Sequence, residues 1–169
     1  NYQINTGLNT VVSGTGFGAG LWSGLSTGYS QTTLNDSGGI NASVTSFTLT
    51  SAAAFETAAS TTSADLTIIS SSIPVANSSG FPAKGTLLIG SEKIRYGTNV
   101  GNVFGDIVRG EDGTTVATSS SGDAVTFVGL MLIESELIQY TGKSTHLING
   151  GVVRGVRGTT AAAHADGVD

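Results

Sequence analysis

The chain of 169 residues contains no cysteine, two prolines, one methionine and one tryptophan. Without cysteine it can form neither a disulfide framework nor a thiolate metal site, which excludes disulfide-stapled small domains and zinc fingers. Its stability must therefore come from packing and backbone hydrogen bonds. Glycine, by contrast, is abundant, with 25 residues, about twice its usual share.

Positive charge is also scarce. Seven Lys and Arg residues face twelve Asp and Glu residues, a net charge of −5 with neutral histidines. Nucleic-acid binding needs a clustered basic surface to meet the phosphates, so the composition argues against such a partner. The apolar runs, such as Leu-Met-Leu-Ile at 130–133, are far shorter than the roughly 20 residues of a transmembrane helix. We therefore predict no membrane span.

The few charges are distributed unevenly. Before the first basic residue, Lys84, the chain carries only Asp36, Glu56 and Asp65. A free domain usually has about a quarter of its residues charged and depends on them for solubility. We therefore expect the first half to pack within an assembly. A disordered linker rich in Ser, Thr, Gly and Ala is the alternative that this composition leaves open.

An internal repeat organises the second half. Residues 85–124 match residues 129–169 at a spacing of 44, which becomes 45 after one insertion near Asn149. Both copies contain the pattern Ile-x-x-Glu-x-Ile around a short polar turn, and both continue to Arg-Gly-x-x-Gly-Thr-Thr. Such a period marks one supersecondary unit used twice. Because units of this size approach the lower limit for an independent core, we expect the copies to pack on one another or on identical neighbours.

Each copy is predicted to consist of β-strands. Alternating apolar and polar residues at 87–89 and 94–96 flank a polar turn and indicate a hairpin. In the second copy, residues 147–148 and 152–153 flank Asn-Gly-Gly, which favours a second tight hairpin. Residues 125–128 supply the strand that links the copies.

A weaker echo precedes the repeat, since residues 46–55 resemble residues 72–81 at a spacing of 26. We interpret it as a degenerate lead-in strand. The predicted fold class is all-β, with two tandem small units of β-hairpins or partly closed barrels, preceded by an extended, low-charge β segment. The predicted segments are an assembly segment at 1–39, a Ser/Thr/Ala-rich lead-in at 40–83, and repeat units at 84–128 and 129–169.

Three motifs carry a resemblance to a known family. They are Gly80-Phe81-Pro82-x-x-Gly85, Ile89-x-x-Glu92-x-Ile94-x-Tyr96, and Arg109-Gly110-x-x-Gly113-Thr114-Thr115. Together they resemble a repeat found in structural proteins of tailed bacteriophages, particularly marine phages, often as tail or fibre components. The opening residues 2–22 are similar to a glycine- and tryptophan-rich segment of such virion proteins. They depart from it at Phe17, where tryptophan is usual; Leu25, just beyond, departs in the same way.

This resemblance covers about three quarters of the chain. It implies a non-enzymatic structural protein of the virion, an extracellular particle, in a tail or a tail-associated fibre or appendage. Its partners would be other copies of itself and other virion proteins, with a host-surface glycan as a further candidate. We expect Phe17, Trp22 and Tyr29 to face the assembly. The alternative function is a carbohydrate-binding module or a bacterial surface adhesin or filament subunit.

The sequence offers few candidates for catalytic residues. The glycine-rich run 14–20 lacks the following helix that a phosphate-binding loop requires. Glu134 and Glu136 share one face at a hairpin turn, where we expect a solvated pair. His164 with Asp166 is the only candidate histidine site, and we expect a surface turn there. We therefore predict no catalytic, cofactor or metal residues and no enzymatic activity.

Calcium binding by Glu111 and Asp112 is a weaker hypothesis. The second copy has Val156 and Arg157 at the aligned positions, and these lack the oxygen ligands that calcium needs. This variable pair is where the copies differ most, so we expect it to face different neighbours in each copy.

One possible ion pair occurs in both copies: Glu92 with Arg109, and Glu136 with Arg154. A guanidinium group can donate two parallel hydrogen bonds to one carboxylate. We therefore predict that each glutamate, on the first hairpin of its copy, holds the arginine and fixes the Arg-Gly turn.

Overall fold

The computed structural model describes residues 32–53 and 55–168, together with the backbone of residues 8–12. Over these ranges the chain forms no α-helix and one short 3₁₀ turn, Glu111–Gly113. The strands there are β1 (Leu8–Val12), β2 (Phe47–Thr48), β3 (Ala59–Thr61), β4 (Ile73–Pro74), β5 (Gly85–Ile89), β6 (Glu92–Tyr96), β7 (Thr98–Val100), β8 (Val103–Gly105), β9 (Ala124–Ile133), β10 (Glu136–Tyr140), β11 (Gly142–Lys143) and β12 (Leu147–Gly150). The predicted all-β class is confirmed.

The chain forms two compact units, and the first lies within the sequence of the second. Unit 1 comprises Glu56–Val128, whereas unit 2 comprises Leu8–Phe55 together with Gly129–Asp169. Strand β9 belongs to both, since the boundary falls in its middle. The lead-in predicted as one segment at 40–83 is thus divided between the units at Phe55.

Unit 1 is built on the β5–β6 hairpin. Strand β5 pairs antiparallel with β6 on one edge and with the first half of β9 on the other, while β3 also pairs with β9. A second small sheet has the order β4, β8, β7. The side chains that these strands turn inward form one apolar cluster: Leu66, Ile73, Val75, Phe81, Leu87, Ile89, Ile94, Tyr96, Phe104, Val125 and Phe127.

Unit 2 repeats this plan with the second half of β9 and β10 as its hairpin. Strand β1 runs parallel to β9 on the other edge, and a small sheet has the order β11, β12, β2. Nine members of its apolar cluster occupy positions that match those of unit 1: Ile40, Phe47, Leu49, Phe55, Met131, Ile133, Ile138, Tyr140 and Ile148. Leu34 and Ala52 complete the cluster.

Each unit therefore joins one of the two similar lead-in segments, 46–55 or 72–81, to one repeat copy. In unit 2, β2 of the first lead-in pairs with β12, opposing Phe47 to Ile148. In unit 1, β4 of the second lead-in pairs with β8, opposing Ile73 to Phe104. These are the residues that the spacings of 26 and 44 align, so each unit pairs a short lead-in strand with the same position of its repeat copy.

The Asn-Gly-Gly sequence does not form the predicted hairpin turn. Strand β12 continues through Asn149 to Gly150, where it pairs with β11, and the chain bends only at Gly151. Val153 then bridges to Gln139 of β10. The prediction was wrong because the local turn preference of Asn-Gly gave way to pairing with strands on both sides.

A glycine and a tyrosine face each other at the base of each main hairpin. Gly85 is the cross-strand partner of Tyr96, and Gly129 is that of Tyr140. A Cβ atom on Gly85 would lie 2.6 Å from the Phe127 ring and 3.2 Å from the Tyr96 hydroxyl. The absence of a side chain thus lets an aromatic ring cover the strand, and both tyrosines are fully buried.

A fragment test follows from this nested arrangement. Residues 56–128 contain a complete unit, so we expect them to fold alone, with a cooperative thermal transition and dispersed amide NMR signals. Residues 129–169 lack their lead-in, including the buried Phe47, Leu49 and Phe55, and should remain unfolded because too little apolar surface is left to bury. Cooperative unfolding of 129–169 alone would contradict the nested division.

Candidate functional site: two buried glutamate–arginine clamps

In unit 1, the site centres on Glu92, the first residue of β6. Its side chain is 2% exposed, and its two carboxylate oxygens accept hydrogen bonds from Nε and Nη2 of Arg109, each at 2.7 Å. The structure thus brings together the first pair predicted from the repeat, in bidentate geometry. Such fork-to-fork contacts are among the stronger hydrogen bonds in proteins.

The same carboxylate also binds the backbone. Gly110 N donates to Oε1 at 3.1 Å, and Ala117 N donates to Oε2 at 3.0 Å. Gly110 has φ 66°, and a Cβ atom there would lie 2.8 Å from the carbonyl oxygen of Thr114. Glycine is therefore needed after the arginine, both for the left-handed backbone and for the close approach.

Arg109 uses its remaining donors on carbonyl groups. Its Nη1 donates to Thr67 O at 2.9 Å and its Nη2 to Ala117 O at 2.6 Å. Thr67 lies in the lead-in, whereas Glu92 lies in the hairpin. The arginine therefore ties the lead-in, the hairpin and the segment after the Arg-Gly turn to one another.

Unit 2 contains the second predicted pair with the same geometry. Arg154 donates through Nε and Nη2 to Glu136 at 2.7 Å each, and Gly155 N and Ala162 N donate at 2.9 and 3.1 Å. Arg154 also donates to Asn41 O and Ala162 O, at 2.7 and 2.6 Å. We call each such arrangement a clamp: glutamate, arginine and the backbone groups that they bind.

The first threonine of Gly-Thr-Thr completes each clamp. Thr114 Oγ1 accepts from Lys93 N at 2.9 Å and donates to Glu111 O at 2.9 Å. Thr159 does the same between Leu137 N and Val156 O, at 3.0 and 2.8 Å. The hydroxyl joins the turn to the hairpin strand, which accounts for this part of the repeat motif.

The clamp of unit 2 contains one further group, His164. Its Nε2 lies 2.7 Å from Oε2 of Glu136, and its Nδ1 lies 2.6 Å from Oε2 of Glu134. The residue is only 3% exposed, so the expected surface turn at His164 is wrong. The expected solvated pair is also wrong, because Glu136 is fully buried while Glu134 is 48% exposed.

Backbone pairing with the lead-in positions His164. His164 exchanges backbone hydrogen bonds with Ile40, at 2.8 and 2.9 Å, which turns the imidazole inward. In unit 1 the equivalent bridge joins Leu66 to Ser119. The Ser119 hydroxyl is buried without a hydrogen-bond partner, so this fifth interaction on the carboxylate belongs to unit 2 alone.

The protonation of both glutamates is set by the clamps. Burial acts to raise the pKa of Glu92, but the hydrogen bonds from Arg109 and from the backbone of Ala117 and Gly110 outweigh it and hold the pKa below its usual value. For Glu136, burial again acts to raise the pKa, but hydrogen bonds, including those from Arg154, outweigh this effect and hold the pKa below its usual value. Both carboxylates are therefore held in the ionised form.

The variable pair of each turn lies beside the hairpin face that points away from the apolar cluster. In unit 1 this face is charged, with Lys93 3.3 Å from Asp112 and Arg95 3.6 Å from Glu111. In unit 2 it is apolar, and Val156 packs against a buried cluster of Leu130, Leu132 and Leu137. The outer hairpin face is thus ion-paired in unit 1 and apolar and buried in unit 2, where the sequences of the copies differ.

The chemistry available to the clamps is limited by their own contacts. All four carboxylate oxygens accept at least two hydrogen bonds each, and both His164 ring nitrogens face carboxylates. The groups are thus committed to holding backbone segments in place. Among the residues the structure describes, no cluster of His, Asp and Glu is arranged to hold a metal ion, and no helix is long and apolar enough to cross a membrane.

The predicted assembly-facing residues Phe17, Trp22 and Tyr29 lie outside the described residues. Comparison with family models, curated proteins and solved structures finds no match to this chain. The site is therefore interpreted from its own geometry.

The bidentate contact can be tested by replacing arginine with lysine, which keeps the charge but donates from a single nitrogen. We expect Arg109→Lys to lower the free energy of unfolding by about 2 kcal/mol, because the buried carboxylate and two carbonyl groups lose donors. Thermal and urea unfolding measure the change.

Arg95→Lys is the matched control. Arg95 belongs to the partly exposed pair with Glu111, and surface pairs contribute little, so we expect a change below about 0.5 kcal/mol. Equal effects of the two substitutions would show that the clamp adds no more stability than a surface ion pair.

The lowered pKa values predict acid sensitivity. A carboxylate whose pKa is lower in the folded state stabilises the fold above its unfolded pKa, near 4.5, and this stabilisation is lost as pH falls through the folded pKa. We expect the melting temperature to fall as the pH is lowered below about 4.5, and Glu92→Gln to make that dependence shallower. Glu111→Gln, which removes a charge from the partly exposed pair, should retain the parent slope; equal slopes in all three proteins would refute the assignment.

Proposed function

We propose that the chain is a non-enzymatic structural protein of a tailed-bacteriophage virion, a β module of the tail or of a tail-associated fibre or appendage that oligomerises in the particle. The proposal rests on the structural roles of the residues that carry the family resemblance. Glu92, Tyr96, Arg109, Gly110 and Thr114 all serve the clamp or the core. The motif therefore specifies a scaffold, which is what a repeated structural module requires.

The exposed apolar residues of unit 1 support a role in assembly. Ile68 and Ile69 are 60% and 86% exposed, and Val100 is 74% exposed at the tip of the β7–β8 hairpin. The positions in unit 2 that align with the two isoleucines carry Ala42 and Ser43. Exposed apolar groups in one copy only are expected where that copy meets a neighbouring subunit.

The aromatic residues favour this function over glycan binding. Sugar-binding sites commonly present exposed aromatic rings as stacking faces, because these rings combine apolar area with a defined geometry. Within 32–53 and 55–168, every aromatic side chain is buried: Phe47, Phe55, Phe81, Tyr96, Phe104, Phe127 and Tyr140. The carbohydrate-binding or adhesin alternative gains no support from these residues.

Immunogold electron microscopy of the native source material tests the proposal, with an antibody raised against the full chain. We expect label on phage tails or their attached appendages, and loss of label when the antibody is first absorbed with the purified chain. Label on cell surfaces or free filaments, with phage particles bare, would overturn the virion assignment in favour of an adhesin or filament subunit.

A further inference from the structure

The second half of β9 is a central strand that needs a partner on each edge. One edge pairs with β10, and the other pairs with β1. Leu130, Met131, Leu132 and Ile133 are all at most 4% exposed, so both faces of this strand are covered. Without a strand on the β1 edge, its backbone groups would be buried without hydrogen bonds, which is costly. We call this edge of residues 130–133 the strand slot.

Unit 1 shows how the equivalent slot is filled. Strand β5 receives residues 125–128 in regular antiparallel register, from Thr86 opposite Val128 to Ile89 opposite Val125. This occupant follows its own repeat copy directly in the chain. It also contributes Val125 and Phe127 to the apolar cluster of unit 1. The slot strand is thus an integral part of the repeat.

The occupant in unit 2 is of a different kind. Strand β1 comes from the opposite end of the repeat array, runs parallel, and has an irregular register between Leu8 and Thr10. Parallel pairing is slightly weaker per residue than antiparallel pairing. In the sequence, residues 13–31 lie between β1 and the next described residues of unit 2, and a segment of this length could span about 60 Å when extended. Such a tether can reach the slot of a neighbouring chain.

We propose that β1 is a donor strand and that, in the assembled protein, the strand slot of each chain is filled by β1 of a second copy. Addition of a strand to a sheet edge is a common mode of recognition, because the main chain supplies the hydrogen bonds. Donation from one end of the chain to a slot near the other is head-to-tail, so it builds a ring or a filament. The proposal deepens the assembly role proposed above and rests on it for the identity of the partner.

The lack of charged residues around β1 favours binding of this strand to the slot of a second copy. Proteins commonly protect exposed strands with lysine, glutamate or proline. The first 35 residues contain no charged residue and no proline, so β1 has no such protection. A connection of this length gives the chain's own β1 an effective concentration of only about the millimolar range, which a packed array of copies can match. An unprotected strand on a long tether is suited to exchange.

Disulfide trapping tests the donor strand, since the chain has no cysteine of its own. Val11 and Leu132 are register partners, and neighbouring strands are about 4.8 Å apart, within the Cα separation that a disulfide bridges. Full-length Val11→Cys and Leu132→Cys chains, carrying tags of different mass, are co-expressed and mildly oxidised. We expect a disulfide-linked pair containing one chain of each kind on a non-reducing gel.

Leu8→Cys with Leu132→Cys is the matched control, because Leu8 lies opposite Leu130 instead. This pair is out of register, so the in-register pair should give roughly tenfold more linked product. A third sample carries both Val11→Cys and Leu132→Cys in one chain, and there we expect a ladder of linked chains.

Two outcomes would overturn the proposal. If the doubly substituted chain closes a disulfide within itself while the mixed chains give no more product than the control, β1 belongs to its own chain. If no sample links, β1 does not occupy the slot. Neither result depends on where the protein is located, so failure of the donor strand and failure of the virion assignment are distinguishable.

Discussion

A buried ionised carboxylate is the constraint on which each unit depends. Removing such a group from water costs several kcal/mol unless its oxygens regain hydrogen bonds in good geometry. Glu92 and Glu136 regain them from an arginine and two backbone amides each. In unit 1 these donors lie within residues 109–117, in and just after the Arg-Gly turn, and Arg109 also donates to Thr67 O of the lead-in. The arginine makes all its hydrogen bonds only when the hairpin, the turn and the lead-in meet. The clamp therefore links correct folding of the turn to correct docking of the lead-in.

This requirement also explains why the two units differ in detail without differing in plan. The clamp residues are the same type in both copies, and the geometry shows why: Gly110 has a left-handed backbone and Arg109 donates four hydrogen bonds. Around these shared residues, the two units differ in the chemistry of the outer hairpin face and in one group added to the clamp of unit 2. Unit 1 carries an ion-paired face and exposed isoleucines, whereas unit 2 carries an apolar face and a histidine between two carboxylates. One scaffold is thus adapted to two environments.

The sequence predicts the first hairpin of each copy, the lead-in strands and both glutamate–arginine pairs, because each appears twice and the two copies support one another. The hairpin predicted at Asn-Gly-Gly rested on one copy alone and was wrong. It does not predict the burial of His164, which occurs in one copy only and whose partner Glu134 aligns with Gly90. The nested order of the units is also hidden, because spacings of 26 and 44 say which segments are alike but not which lead-in joins which copy. That choice is made by strand pairing between residues distant in the chain.

The nested order has a consequence for folding. Residues 56–128 of unit 1 are continuous in the chain. The two parts of unit 2, which end at Phe55 and resume at Gly129, are separated in sequence by these residues. When unit 1 is folded, its ends are already close, because Ala59 pairs with Thr126. The remaining loop is then short, which reduces the entropic cost of closing unit 2 by roughly 2 kcal/mol relative to an unfolded insert. Unit 1 is therefore expected to fold first and to act as the template that aligns the two parts of unit 2.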